Sequence, residues 1–449
     1  MTAADKTQDF QLARSLIEGS PLATLVKDLW QRVRIDWSFA TDHLAAAFRT
    51  QRQLGSRERR FAAETLYGMI RNLRRIDEAL ARGGYRKGSG APDDLRLAAY
   101  LVLEAGAPAD DAARRYPDVD WNAVRTIDDA LRSERDVTRR IALRWSLPDW
   151  LAALLVDDLG AADAEALAEA LNQRAPMTVR ANRLVGDREA LAAALASEGI
   201  ETEPGRFAAD ALHVIGRTNL FGLNAFRKGA FEAQDEGSQL IAELVAPPPR
   251  GLVVDYCAGA GGKTLAIAAA LGGRGRVVAC DVHKNKLTEL KRRAKRAGVT
   301  NAQSVRLDEE GWAPPLERLR GGADRVLVDA PCTGIGALRR NPEARWRLTP
   351  ADLQRLPVQQ LEICERALDL VAPGGRLIYA TCTVTSVENR NVVDKLTTAH
   401  PELETVTARE IWGAERAEPV TDPSGTFLEL FPHRHGTDGF FAAVLRRRK

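Results

Sequence analysis

Through its first third the chain repeats apolar residues at the three-and-four spacing of a helix face. LARSLIEGS, LATLVKDLWQRV, DHLAAAFRTQRQL, RRFAAETLYGMIRNLRRIDEAL and DLRLAAYLVLEAG do so in turn, separated by glycine, proline and polar breaks. This predicts an all-helical domain over residues 1–143. From Trp145-Ser146-Leu147-Pro148 onward, helical stretches (LPDWLAALLVDDLG, DREALAAALASEGI) alternate with short extended ones (MTVRANRLV, ALHVIG). A small α/β domain over residues 144–245 is expected. The break Ala246-Pro247-Pro248-Pro249-Arg250-Gly251 closes it. Beyond the break, continuous apolar runs in GLVVDY, GRVVACD, QSVRL, DRVLVDA and GRLIYATC are separated by helical segments. Strands of that kind belong to a parallel sheet covered on both faces, so residues 246–449 are predicted to form a doubly wound, Rossmann-like α/β domain. Ligands of such sheets sit at the carboxyl ends of the strands.

Composition sharpens this only in places. A chain of 449 residues exceeds one ordinary core, in keeping with several domains. Sixty-four basic and sixty-one acidic residues leave a net charge of +3, which neither announces nor excludes nucleic-acid binding, because local patches decide. Arg49, Arg52, Arg57, Arg59, Arg60, Arg71, Arg74 and Arg75 read equally well as solvated helix faces or as an RNA-docking surface. No run of eighteen apolar residues predicts a membrane span, and MTAADKTQDF lacks the basic and apolar regions of a secretory signal. Cys257, Cys280, Cys332, Cys364 and Cys382 are scattered and odd in number, which suits a reducing cytoplasm better than a disulfide framework. No C-x-x-C pair suggests zinc, and His433 and His435 are expected in a solvated loop, so no metal is predicted.

The first apolar run of the last domain leads into Asp255-Tyr256-Cys257-Ala258-Gly259-Ala260-Gly261-Gly262-Lys263-Thr264. Glycines between strand and helix let a ligand approach the backbone and reach the helix N-terminal amides. A P-loop would need glycine where Cys257 stands, and a G-x-G-x-x-G fingerprint from Gly259 would need it where Thr264 stands. Both phosphate-binding readings therefore fail. Asp281 closes the second strand, where a carboxylate can accept from both hydroxyls of a ribose. Asp308 follows the third, placed to accept from an adenine amino group, and Asp329 ends the fourth. A loop without a phosphate signature, together with ribose and adenine acceptors, fits S-adenosylmethionine better than a dinucleotide.

Cys332, in Asp329-Ala330-Pro331-Cys332, and Cys382, in Ala380-Thr381-Cys382-Thr383, also fall on the strand-end rim, whereas Cys280 and Cys364 read as small buried hydrophobes. A thiolate is the nucleophile needed to add to C6 of cytosine and make C5 enamine-like toward a methyl sulfonium. Asp329 (protonated or bridged by water) and Lys263 are candidates to stabilise charge developing at the pyrimidine edge. The chemistry alone does not rank the two cysteines.

The segments DYCAGAGGKT, RVLVDAPCTGIGALRRNPEARWRLTP, LIYATCTVTSVEN and HGTDGFFAAVL resemble successive motifs of the RNA cytosine-5 methyltransferase family. The stretch Gly229-Ala230-Phe231-Glu232-Ala233-Gln234-Asp235-Glu236-Gly237-Ser238 resembles the segment preceding that family's catalytic domain. The N-terminal LGSRERRFAAETLYGMIRNLRRIDEAL is similar to a domain related to the antitermination factor NusB. The resemblance implies a NusB-like RNA-binding domain, a small RRM-like domain and a methyltransferase domain. It implies that Cys382 bonds to C6 and that Cys332 assists proton abstraction and product release. Cofactor contacts are implied from Cys257, Ala258, Gly259, Ala260, Gly261, Gly262 and Lys263, and from Asp281, Asp308 and Asp329. The family usually shows Ala-Pro where Gly259-Ala260 stand, and losing that proline is expected to loosen the loop by about 1 kcal/mol. Arg339, Arg340, Arg345 and Arg347 flank Trp346 just after the Ala330-Pro331-Cys332 motif, where a flipped base would need neighbours, and are expected to contact RNA. The basic stretch from Lys284 to Arg296 reads as a solvated helix face. Small-subunit (16S) ribosomal RNA is the implied substrate. Transfer RNA is one alternative, and a non-catalytic ribosome-assembly factor is another.

Overall fold

The computed structural model describes residues 3–85, 91–216 and 218–449, with side chains from Asp9 onward. It divides into two compact units: Met1–Arg174 with Leu338–Thr349, and Ala175–Ala337 with Pro350–Lys449.

The first unit is helical, as the periodicity predicts. Its longest helix, Ser56–Arg82, buries Phe61, Leu66, Met69, Ile70, Ile76 and Leu80 along one face. The helix Pro21–Asp36 begins with proline in its first turn and a Ser20 side chain accepting from the Ala23 N–H. It ends at Trp37, in the left-handed region with φ 52°. The unit extends beyond residue 143 and takes in the helices Asp149–Leu159 and Ala161–Asn172, which the sequence pattern joins to the following domain.

Most of the basic side chains expected on an open face are spent within the fold. Arg75 is buried against Asp128 and Glu104, Arg57 and Arg60 share Asp9, and Arg59 donates to the carbonyls of Leu54 and Gln51. Arg74 donates to the Leu147 carbonyl and to Asp149. Arg49 and Arg52 are exposed.

The segment Leu338–Thr349 is the unexpected part of this unit. Arg345 is fully buried: Nη1 donates to the carbonyls of Trp145 (3.1 Å) and Ser146 (3.3 Å) and to Asn172 Oδ1 (2.8 Å), and Nη2 to the carbonyl of Leu171 (3.3 Å). Trp346 donates to the Ile70 carbonyl at 3.0 Å and packs its ring 5.8 Å from that of Trp37. Arg339 is buried and its carbonyl accepts from Arg71, while Arg347 is exposed, over the ring of Phe39. The expectation that Arg339, Arg345 and Trp346 meet RNA is therefore not carried forward. Alternating basic and aromatic residues look the same in sequence whether they face a phosphate or a set of backbone carbonyls. Arg340 and Arg347 remain at least partly accessible.

The second unit holds two sheets. Strands β1 (Thr178–Ala181), β2 (Thr202–Pro204), β3 (Ala211–Val214) and β4 (Phe231–Ala233) form an antiparallel sheet in the order β2-β3-β1-β4. The larger sheet contains β5 (Leu252–Asp255), β6 (Arg276–Asp281), β7 (Ala302–Arg306), β8 (Ala323–Asp329), β9 (Val371–Thr381), β10 (Leu403–Val406), β11 (Leu428–Leu430) and β12 (Phe440–Arg447). Its order is β10-β12-β9-β8-β5-β6-β7, with β11 also paired to β12. The pairs among β5 to β9 are parallel, as predicted, whereas β12 runs antiparallel to β9, β10 and β11.

Both faces of this sheet are covered. Val254, Val278, Val326, Val328, Leu377 and Tyr379 point into one apolar layer, and Val253, Val277, Leu327, Ile378 and Ala380 into the other. This two-sided burial is why the strands read as uninterrupted apolar runs.

Candidate active site

Strand β5 lies between β6 and β8, so the chain winds outward in both directions from the β5–β8 boundary. A crevice opens at such a switch point beyond the carboxyl ends of the strands. The loops after β5, β6, β8 and β9 all end there, carrying the residues singled out from the sequence.

In the loop after β5, Gly259 has φ 55° and Gly261 φ 86°. A Cβ on Gly261 would also fall 2.6 Å from Leu290 Cγ, so this position requires glycine on two counts. Gly259 N–H donates to Asp281 Oδ2 at 2.9 Å, which ties down the residue that replaces the family's alanine, and His283 N–H donates to Asp281 Oδ1 at 2.8 Å. The helix Gly262–Ala270 starts directly behind this loop. Asp308 accepts from the Trp312 N–H, beside a cavity of about 460 Å³ lined by Val282, Arg306, Leu307 and Asp308. Asp255 is buried; its Oδ2 accepts from Thr264 Oγ1 at 2.6 Å, and its Oδ1 has no hydrogen-bond partner. Burial pushes its pKa up to about 7.

These features suit S-adenosylmethionine: a glycine turn without bulk, a strand-end carboxylate at Asp281, and an apolar Val282 beside the Asp308 cavity. The Gly259 and Gly261 N–H groups are already donated within the protein, to Asp281 Oδ2 and the Ala258 carbonyl.

The two rim cysteines meet. Asp329 on β8 pairs in register with Ala380 on the parallel neighbour β9, so the chains leaving these strands carry Cys332 and Cys382 side by side, Sγ to Sγ 3.4 Å. Cys280 and Cys364 are fully buried, as small hydrophobes. Lys263 Nζ donates to Asp329 Oδ2 at 2.6 Å. Burial works against the Lys263 charge, but Asp329, and secondarily Cys382, more than offset it and hold its pKa up. This ion pair commits Asp329 to Lys263. The Cys332 thiol is pushed well up by its contact with the Cys382 sulfur, by burial and by the charge of Glu388. Lys263, ion-paired with Asp329, thus lies within electrostatic reach of Cys382, and Glu388 within reach of Cys332.

Three groups at the site were not singled out from the sequence. Arg180, buried on β1, donates to the Gly262 carbonyl at 2.9 Å and to Gln234, supporting the cofactor loop from the small sheet. Asn389 accepts from Thr381 Oγ1 and donates to the Thr383 carbonyl, clasping the chain on both sides of Cys382. Glu388 binds the loop of Cys332. Glu388 and Asn389 stand in the LIYATCTVTSVEN motif, and only their partners reveal what they do.

His433 and His435 correct another expectation. They lie on the short helix Pro432–His435, not in a solvated loop, with His435 edge-on to Phe207 and accepting from the Phe431 N–H. Flanking aromatic residues make this turn part of the packing. The basic helix Lys284–Arg296 is exposed along Lys284, Lys286, Lys291 and Lys295, as read, but Arg293 and Arg296 turn inward to the buried Glu232. Among the described residues, no helix is long and apolar enough to cross a membrane.

Fold and site together define a methyltransferase of the doubly wound class, with S-adenosylmethionine as its cofactor. Residues 242–446 match the family described as 16S rRNA methyltransferase RsmB/F, and residues 147–220 match the ferredoxin-like domain of the same proteins. The probable ribosomal RNA small subunit methyltransferase B of Bacillus subtilis is 35% identical over 313 residues, covering 70% of this chain and 69% of the relative. Its counterpart in Synechocystis is 31% identical over 414 residues, covering 87% and 91%. The crystal structure of PH0851 superposes with a TM-score of 0.75 at 25% identity, covering 96% of this chain and 99% of that one. The chain belongs to the RsmB/F methyltransferase family.

Proposed function

We propose that this protein methylates C5 of a cytosine in small-subunit ribosomal RNA, in the cytoplasm, with Cys382 as the nucleophile. The observation that carries the reading is the pair of thiols 3.4 Å apart on adjacent strand ends, with Lys263 near Cys382 and Glu388 near Cys332. With the roles that the family resemblance implies, Cys382 bonds to C6 and pushes electron density toward C5, which takes the methyl group. A base then takes the C5 proton with Cys332 assisting, the C–H electron pair re-forms the C5–C6 double bond, and the Cys382–C6 bond breaks to release Cys382 as a thiolate. Bound S-adenosylmethionine supplies an electrophilic methyl group. Asp281, the Cys257–Lys263 loop and Asp308 would hold the cofactor, with Asp329 fixing the Lys263 ammonium beside the reacting sulfur. The helical unit, which we read as NusB-like, presents Arg49 and Arg52 for phosphate contacts. The ribosomal substrate is supported by the names of the relatives.

The test is methyl transfer from labelled S-adenosylmethionine to total RNA from cells lacking the protein. Label should appear as 5-methylcytosine in small-subunit ribosomal RNA, vanish with Cys382→Ala, and give way to a trapped protein–RNA adduct with Cys332→Ala. An adduct trapped by Cys382→Ala would reverse the two roles. Label confined to transfer RNA would replace the substrate, and no label on any RNA would favour an assembly factor without catalysis.

A further inference from the structure

We propose that Glu388 is a positioning residue that holds Cys332 beside Cys382 and keeps the two sulfurs in unequal roles; this rests on the two-cysteine reading above. Glu388 is completely buried. Its Oε1 accepts from the Thr333 N–H (2.9 Å) and from Gln360 Nε2 (3.0 Å), and its Oε2 from Thr333 Oγ1 (2.5 Å) and Thr385 Oγ1 (3.2 Å). Every donor is neutral, and no Lys or Arg pairs with this carboxylate among the described residues. Burying a charge on such terms is costly, and an amide or an apolar side chain would fill the space more cheaply.

The groups it holds explain why a carboxylate stands there. Thr333 directly follows Cys332 and is fixed by both its N–H and its hydroxyl, and Thr333 Oγ1 also lies 2.9 Å from Thr383 Oγ1, next to Cys382. Gln360 donates as well to the Pro331 carbonyl at 3.0 Å, so the residues on either side of Cys332 are clamped through one carboxylate. Tyr379 Oη lies 2.5 Å from the Glu388 carbonyl and 3.1 Å from Gln360 Oε1, extending the clamp back into β9. Among the described residues, the titratable groups around the sulfur pair include Glu388 and the Tyr379 phenol near Cys332, and the Lys263–Asp329 ion pair near Cys382. A network that only joined loops would not need a charge. A charge placed against one of two touching thiols makes them different.

Glu388→Gln keeps the shape, and the Thr333 and Thr385 hydroxyls can turn to accept from its amide, so it removes the charge and little else. The RNA-free full-length protein is alkylated with iodoacetamide across pH 6–10 and each cysteine followed by mass spectrometry. In the wild type Cys382 should react first. In Glu388→Gln the Cys332 profile should move to lower pH, with S-adenosylmethionine affinity within about twofold of wild type. Turnover should fall with KM unchanged, and the RNA adduct should accumulate as in Cys332→Ala. If Glu388→Gln does not fold, Thr333→Val, which removes one hydroxyl of the clamp and leaves the charge, should lower turnover without moving the Cys332 midpoint down, and unimpaired turnover would overturn the clamp. In Glu388→Gln, an unchanged Cys332 midpoint, even with faster alkylation at every pH, would mean greater exposure alone and would overturn the proposal, as would unimpaired turnover. A wild type that makes no 5-methylcytosine would sink the functional reading, while the alkylation profiles would still decide the role of Glu388.

Discussion

Asp255→Asn should reverse the sign of its effect on stability within the ordinary working range of pH. Asp255 is buried with one oxygen unpartnered, and burial raises its pKa from 3.8 to about 7. A rise of about three units corresponds to about 4 kcal/mol of preference for the protonated form in the folded chain. The native state then binds this proton more tightly than the unfolded state. The associated stability is complete below pH 4 and is lost as pH rises through 7, where the buried carboxylate must ionise. Asparagine does not ionise, but its amide would occupy the position of the unpartnered Oδ1, at a cost of about 1–3 kcal/mol. The variant should therefore be less stable than wild type by about that amount near pH 4, and more stable by about 1–3 kcal/mol at pH 8. Native-state hydrogen exchange of the Val254 and Tyr256 amides, read between pH 4 and 8, reports the second unit directly; Tyr256 N–H bonds to the Leu327 carbonyl in the middle of the sheet. Two stability curves that stay parallel across this range would refute the reasoning, because only the titration of residue 255 separates the proteins.

Arg345→Met should lower the stability of the helical unit by about 1–3 kcal/mol in urea unfolding followed by tryptophan fluorescence, since three carbonyls and Asn172 lose their donor. Gly336→Ala should reduce turnover by roughly two orders of magnitude while sparing cofactor affinity. Its Cβ would fall 2.3 Å from the Gly439 carbonyl and force apart the backbone that bonds the Cys382 carbonyl, as stopped-time assays with saturating cofactor would read.

The alternation of apolar runs and helices determined the class of the last domain, because a strand buried on both faces must be apolar at nearly every position, and only a covered parallel sheet buries strands that way. The same pattern placed Asp281, Asp308, Asp329, Cys332 and Cys382 at strand ends, and periodicity found the helices of the first unit. Failure of the phosphate fingerprints narrowed the cofactor. Periodicity could not foresee that Leu338–Thr349 leaves the catalytic domain to pack with distant helices, because a buried arginine and an RNA-binding arginine have the same local sequence. Nor could it rank the cysteines. The inequality proposed for them rests on Lys263 and Glu388, 119 and 6 residues from Cys382 in the chain, and electrostatics at a few ångströms depends on distances that only the β8–β9 register sets.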